Sequence, residues 1–329
     1  MMTPISLPDQ TFEGGVLPVN ADRIERRLAE VWSLATHSGD QGQDLVKVCL
    51  ANIVVVCDGL TRPEAEILAL AIAREYPSRV ILTVVDDEIK SYYAFVRTSC
   101  VKDPDSGAIR CWEIIELVSE QTRVKSIVGA LRSLLVDSVP IVTVDFRPFQ
   151  STPALDNMLL DLSDLVLVNA DVVPAGASVR QLLPLRWFHT LPIRLLIGDF
   201  FGMMTAQTNP SKFTVYSQPN RDTYYDLMAG WLVARLEKHN IAVSVSDQPT
   251  DEQTILTIEF GHDLDKAVLR LAETPEKVEW KLHYRNQCLT RSVTDWPLAS
   301  YIVGTLQDGS EQREFEAVAS TIARMRHHS

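Results

Sequence analysis

Residues 53–85 read IVVVCDGLTRPEAEILALAIAREYPSRVILTVV, and this stretch decides the fold. Ile53–Cys57 is a short apolar run rich in β-branched residues, bounded by Asp58-Gly59. That is the pattern of a strand buried on both faces. Thr61-Arg62-Pro63-Glu64 has the spacing of a capping box with proline in the first turn. Ile67, Leu68, Ala71 and Ile72 then share a helical face that ends before Pro77. Arg79–Val85 is a second buried strand. Strand, helix and strand in this order predict a βαβ unit with a parallel sheet.

The same alternation extends outward. Upstream, Asn20 reads as a helix N-cap, followed by Ile24, Leu28, Val31 and Trp32 on one face. Downstream, Tyr92–Val101 and Ala108–Val118 are two longer strands around the turn sequence Asp103-Pro104-Asp105-Ser106-Gly107, which predicts a β-hairpin. A helix carrying Val124, Ile127, Val128, Leu131 and Leu135 precedes a strand at Ile141–Val144. A helix at Leu155–Leu162 precedes another strand at Leu165–Val168. The expected fold is α/β, with a mostly parallel sheet and a β-hairpin excursion. After about residue 200 the character changes. Gly198–Pro219 reads as a linker, and Asn220 as the cap of a helix with Tyr224, Leu227, Met228, Trp231, Leu232 and Leu236 on its apolar stripe. Strand-like segments and a final helix through Phe315, Val318, Ala319, Ile322 and Met325 complete a smaller α+β C-terminal domain. The expected division is 1–204 and 205–329.

Composition excludes classes without choosing one. With 329 residues, 46% hydrophobic and 22% charged, the chain can build a packed core. Lys and Arg number 31 against 43 Asp and Glu, a net charge of −12 with no basic run. Nucleic acid and anionic membranes are therefore not expected partners. Met1–Phe12 has no secretory pattern, and no apolar run approaches the ~20 residues of a membrane span. Five cysteines in so long a chain are no disulfide framework. A cytoplasmic protein is expected.

The residues that carry chemistry are few. No GxGxxG or GxxxxGK[ST] loop is present, so no nucleotide cofactor is expected. Asp58, Asp86 and Asp145 each follow a predicted strand, where ligands bind in open parallel sheets. Either they are ordinary turn residues or they converge on Mg²⁺ or a phosphate, as in a metal-dependent phosphohydrolase or a sugar-phosphate-binding protein. No resident metal is assigned. In the predicted hairpin, Cys100 and Cys111 fall nearly opposite each other. They are either a reversible disulfide or two small buried residues.

Several segments together resemble the glucose-6-phosphate dehydrogenase assembly proteins, the OpcA family. Glu75–Ile81 (EYPSRVI) looks like that family's helix-to-strand junction, and Ile109–Ile115 (IRCWEII) its cysteine-containing strand. Leu134–Val142 (LLVDSVPIV) resembles its helix-to-strand "P-V" segment, and Met228–Leu236 (MAGWLVARL) its "AGWL" helix. The likeness spans about residues 20–240. It departs where Val144-Asp145 replaces a tandem tryptophan and where Trp112 stands at the second cysteine. The resemblance implies a non-catalytic assembly factor and allosteric activator that binds glucose-6-phosphate dehydrogenase in the pentose phosphate pathway. It also implies redox regulation, with Cys100 and Cys111 as the candidates and Trp112 and Glu113 as a possible interface.

Overall fold

The computed structural model describes residues 10–37, 49–90, 92–102, 109–148, 151–170, 182–204, 212–217, 222–236, 242–246, 254–260, 267–274, 277–284, 287–293 and 298–328. The chain divides into two compact units, Met1–Asn169 and Ala170–Ser329. The sequence reading drew this division at 204/205.

In the first unit, β1 (Gln10–Pro18) leads into α1 (Ala21–His37), β2 (Ala51–Cys57), α2 (Arg62–Glu75) and β3 (Ser78–Val85). The hairpin strands β4 (Tyr93–Lys102) and β5 (Ile109–Ser119) follow, then α3 (Val124–Leu134), β6 (Ile141–Pro148), α4 (Pro153–Leu162) and β7 (Leu165–Asn169). Within this unit the strand order is β1-β4-β5-β3-β2-β6-β7, and β8 (Leu182–Pro184) belongs to the second unit. Strands β5, β3, β2, β6 and β7 run parallel; β4 runs antiparallel to β5, and β1 antiparallel to β4. Numbered along the chain, the five parallel strands stand in the order 3-2-1-4-5. This is a doubly wound sheet whose order reverses between β2 and β6.

The expected mostly parallel sheet with its hairpin excursion is present. Strands β2 and β3 are buried along their whole length, because helices cover both sheet faces. On one face Val54, Val56 and Ile81 pack with Ile24, Leu28 and Val31 of α1, Ile127 and Leu131 of α3, and Leu155 and Leu159 of α4. The alternate strand residues face away from that cluster, and α2 buries Ala65, Leu68, Ala69, Ile72 and Ala73. Asn20 caps α1 as expected, its Oδ1 accepting from the Arg23 amide at 3.1 Å.

Strand β1 was not expected. Its sequence is interrupted by Glu13-Gly14-Gly15-Val16, where the register with β4 slips. Gly15 takes a φ of +71°, and Gly14 lies so close to Val96 that a side chain there would clash. Both glycines are what a bulged edge strand requires.

Two polar ties fasten the amino-terminal edge of the sheet. Asn52 exchanges two hydrogen bonds of 2.9 Å with the backbone of Val136. Arg79 donates to Glu113 (2.6 Å), to Glu25 (2.5 Å) and to the Leu134 carbonyl at the end of α3 (2.5 Å). Trp32 Nε1 completes the tie by donating to Glu113 at 2.7 Å. The segments that carry the family resemblance in this unit are thus the ones joined by these ties.

The second unit contains α5 (Leu185–His189), α6 (Leu191–Met204), β9 (Lys212–Ser217), α7 (Asp222–Leu236) and β10 (Ala242–Ser246). These are followed by β11 (Thr254–Phe260), β12 (Ala267–Thr274), β13 (Lys277–Tyr284), β14 (Gln287–Val293), α8 (Leu298–Asp308) and α9 (Ser310–His328). Its six-stranded sheet has the order β10-β9-β11-β12-β13-β14, antiparallel except for β9 beside β10. The stretch Gly198–Pro219, read as linker, starts inside α6 and contains strand β9; its residues 205–211 lie outside the described residues. Asn220 lies outside the described residues.

Helix α7 buries Leu227, Met228, Trp231, Leu232 and Leu236. Gly230 lets α9 approach, since a side chain there would run into Ile322. Arg194 is buried under α9, bonded to Glu311 (2.5 Å), Glu314 (2.9 Å) and Thr190 (3.0 Å). Its guanidinium lies 3.8 Å from the centre of the Trp187 ring. Among the described residues, no helix is long and apolar enough to cross a membrane.

Candidate functional site

Ligands of doubly wound sheets bind beyond the carboxyl ends of the strands, where the order reverses. Here that place is formed by the turns after β2, β3, β5 and β6. Asp58 leaves β2 and turns straight back onto the start of α2. Its Oδ1 accepts from both the amide and the hydroxyl of Thr61, each at 2.8 Å, and Thr61 Oγ1 accepts from the Asp58 amide at 3.2 Å. The expected capping box is therefore not what forms. Thr61 has helical backbone angles (φ −92°, ψ −4°) and its side chain caps no helical amide. The Asp58 carboxylate is the anion at this helix end.

Asp86 ends β3. Its Oδ1 accepts from the Glu88 amide at 2.8 Å, while Oδ2 lies against Gly59 so closely that a Cβ there would clash. Gly59 is therefore a close-approach glycine, and it brings the turns after β2 and β3 together. Asp87, Gln121 and Thr152 link the next three turns. With the Gln121 amide oriented to satisfy both neighbours, its nitrogen donates to Asp87 Oδ2 at 2.8 Å and its oxygen accepts from the Thr152 hydroxyl.

Asp145 does not join Asp58 and Asp86. It is buried within β6, where Arg147 grips it twice, from Nε at 3.0 Å and from Nη2 at 2.6 Å. Arg147 also donates to Asp156 of α4 at 2.9 Å. Burial pushes the Asp145 carboxyl above the usual range, against the pull of Arg147. Among the described residues, no group of three acidic, histidine or cysteine side chains is arranged to hold a metal ion. Of the two readings, the alternative in which Asp58, Asp86 and Asp145 converge on Mg²⁺ is corrected accordingly. Asp58 and Asp86 do follow their strands, whereas Asp145, expected after the strand, lies inside β6, opposite Val56 and Val168; sequence order alone cannot show which sheet face a carboxylate enters or which arginine it meets.

The other expected residues resolve as follows. Cys100 stands directly opposite Cys111 in the β4–β5 register, as the hairpin arithmetic required. The turn at 103–107 lies outside the described residues. Trp112 and Glu113 are buried, Glu113 against Arg79, so neither offers an interface surface. Gln121 and Thr152 were missed because they meet only through strand order, and Arg147 and Asp156 because these local partners of Asp145 form no recognisable motif.

Cys57, just before Asp58, is fully buried. Burial pushes its thiol up to about 12, with Asp58 and Glu116 adding to the rise and Arg62 opposing it. The folded protein is expected to leave Cys57 unalkylated by iodoacetamide at pH 8, and unfolding in urea should expose it. Peptide mapping that finds Cys57 labelled equally fast in both states would refute this.

No family model matches the chain, and no curated protein matches it. The solved structures that match include a 3-ketoreductase from Actinomadura kijaniata bound to NADP. It is 11% identical, with 84% of this chain and 96% of that chain covered and a TM-score of 0.45. A mutant of the same enzyme with TDP-benzene and NADP matches at 10% identity over 84% and 96%, with a TM-score of 0.44. An open conformation matches at 8% over 84% and 95%, with a TM-score of 0.37. These matches are to a catalytic protein. They correct the expectations of a non-enzyme, of an assembly factor and activator for glucose-6-phosphate dehydrogenase, and of the pathway and redox role attached to it.

A nicotinamide dinucleotide would lie at this same edge of the sheet. In a doubly wound sheet its pyrophosphate rests on the start of the helix after the first strand. Here Asp58 fills that place, Pro63 contributes no amide to it and Glu64 adds charge in the first turn. The residues do not fit the group.

Proposed function

We propose that the first unit binds a small, uncharged, hydroxyl-bearing molecule, such as a sugar, at the carboxyl edge of its sheet, in the cytoplasm. The observation that carries this reading is Asp86 at the end of β3, held over Gly59 beside the order reversal. A carboxylate so placed accepts hydrogen bonds from two neighbouring hydroxyls of one ligand. The surroundings favour donors over anions. Asp58, Asp87 and Glu120 supply further acceptors, and the nearby Arg123 is paired with Glu120 at 2.7 Å and lies over the Tyr92 ring. The Gln121 amide, fixed between Asp87 and Thr152, gives the edge a defined shape. The family resemblance is retained as a proposal about descent only.

Melting curves of the whole chain against a panel of monosaccharides and polyols test this. A ligand at a hundredfold excess over its Kd is expected to raise Tm by about 5–10 °C. Asp86→Asn is expected to abolish the shift with little change in the unliganded Tm. A panel without any shift, or a shift that Asp86→Asn leaves intact, would refute the site.

A further inference from the structure

We infer that Asp58 acts as a built-in substitute for a bound phosphate and closes this doubly wound sheet to nicotinamide dinucleotides and other pyrophosphates. The inference stands apart from the sugar reading in its test, which turns on Asp58 and pyrophosphate, whereas the sugar reading turns on Asp86 and hydroxyl ligands.

Three observations converge on it. The start of a helix attracts anions through its unpaired amides and its dipole. At α2 an anion is already in place, since one carboxylate oxygen of Asp58 takes both the amide and the hydroxyl of Thr61, the residue that opens the helix, at 2.8 Å. The next residues add no cradle. Pro63 lacks an amide hydrogen, and the Arg62 guanidinium is turned away to Glu66 (2.8 Å) and Glu116 (2.7 Å). Finally, the gap above Gly59, through which a pyrophosphate would approach the backbone, holds Asp86 Oδ2. A diphosphate would have to displace one carboxylate and lie against another, with no free guanidinium on α2 to neutralise it.

The test uses the full chain and three probes: NADPH, NADH and inorganic pyrophosphate. Wild type is expected to give no saturable change in NADPH or NADH fluorescence and no shift in Tm at millimolar pyrophosphate. Asp58→Gly frees the helix start, and is expected to tighten pyrophosphate binding at least tenfold. Asp58→Asn keeps a capping oxygen without the charge, and serves if the glycine variant does not fold. It is expected to show a smaller gain in the same direction. Saturable NADPH or NADH binding by wild type would overturn the inference. So would folded Asp58 variants that bind pyrophosphate no better than wild type.

Discussion

Arg147→Ala is expected to destabilise the first unit by about 3–5 kcal/mol at pH 7, which for a domain of this size is a large share of its total stability. The reason is geometric. Asp145 and Asp156 are both buried, and Arg147 bonds to each, at 2.6 Å and 2.9 Å. Without the guanidinium, two carboxylates remain in a poorly solvated space. The pH dependence identifies the cause. Burial already raises the Asp145 pKa, so the folded state holds that proton more tightly than the unfolded chain does. A raised carboxyl contributes stability when protonated, and that contribution is lost as pH rises through the folded value. In Arg147→Ala both carboxyls should shift further up. The deficit measured by urea unfolding should therefore shrink between pH 7 and pH 5. Arg147→Lys should recover only part of the loss, because an ammonium cannot grip Asp145 with two parallel bonds. A deficit that is the same at both pH values would mean that the arginine contributes packing rather than charge.

Arg79→Ala is the second large loss, again about 3–5 kcal/mol, and it strands Glu113 in the core. Glu25 is half-exposed and can turn to water, whereas Glu113 is only 3% exposed. Replacing both partners by apolar residues, Arg79→Met with Glu113→Leu, should recover most of the stability. The remaining cost is the lost hydrogen bond from Trp32 Nε1 to Glu113, about 1 kcal/mol. A double variant as unstable as Arg79→Ala alone would show that the buried charge is not the source of the loss.

These two ion-pair sites mark where the sequence stopped being legible. The apolar runs Ile53–Cys57 and Val80–Val85 permit only buried strands, and the alternation of strands and helices around them leaves little but a parallel sheet. The hairpin register followed from its turn sequence, which put Cys100 opposite Cys111. Pairings set by strand order were not legible. Arg79 meets Glu113 because β5 lies beside β3, and Gln121 meets Thr152 because the turns after β5 and β6 converge. The Thr61–Glu64 spacing misled for a related reason. A capping box assumes an extended N-cap residue, and Asp58 holds Thr61 helical instead. Segments chosen for their resemblance to a family proved to be structural ties. They report how the core is fastened more than what the carboxyl edge binds.

The central position of β2 also has a consequence for how the chain is made. It is an uninterrupted apolar strand that needs neighbours on both sides, β3 and β6. Its tie from Asn52 to Val136 reaches across 84 positions of sequence. At about 5–20 residues per second, the ribosome needs several seconds to deliver that partner. During that interval β2 and β3 can pair, but one long edge of β2 stays open and sticky. A nascent chain of this kind depends on holdase chaperones in proportion to how slowly the middle of its message is read. Slowing translation between β3 and β6 should therefore cost soluble yield more than the same delay after Asn169.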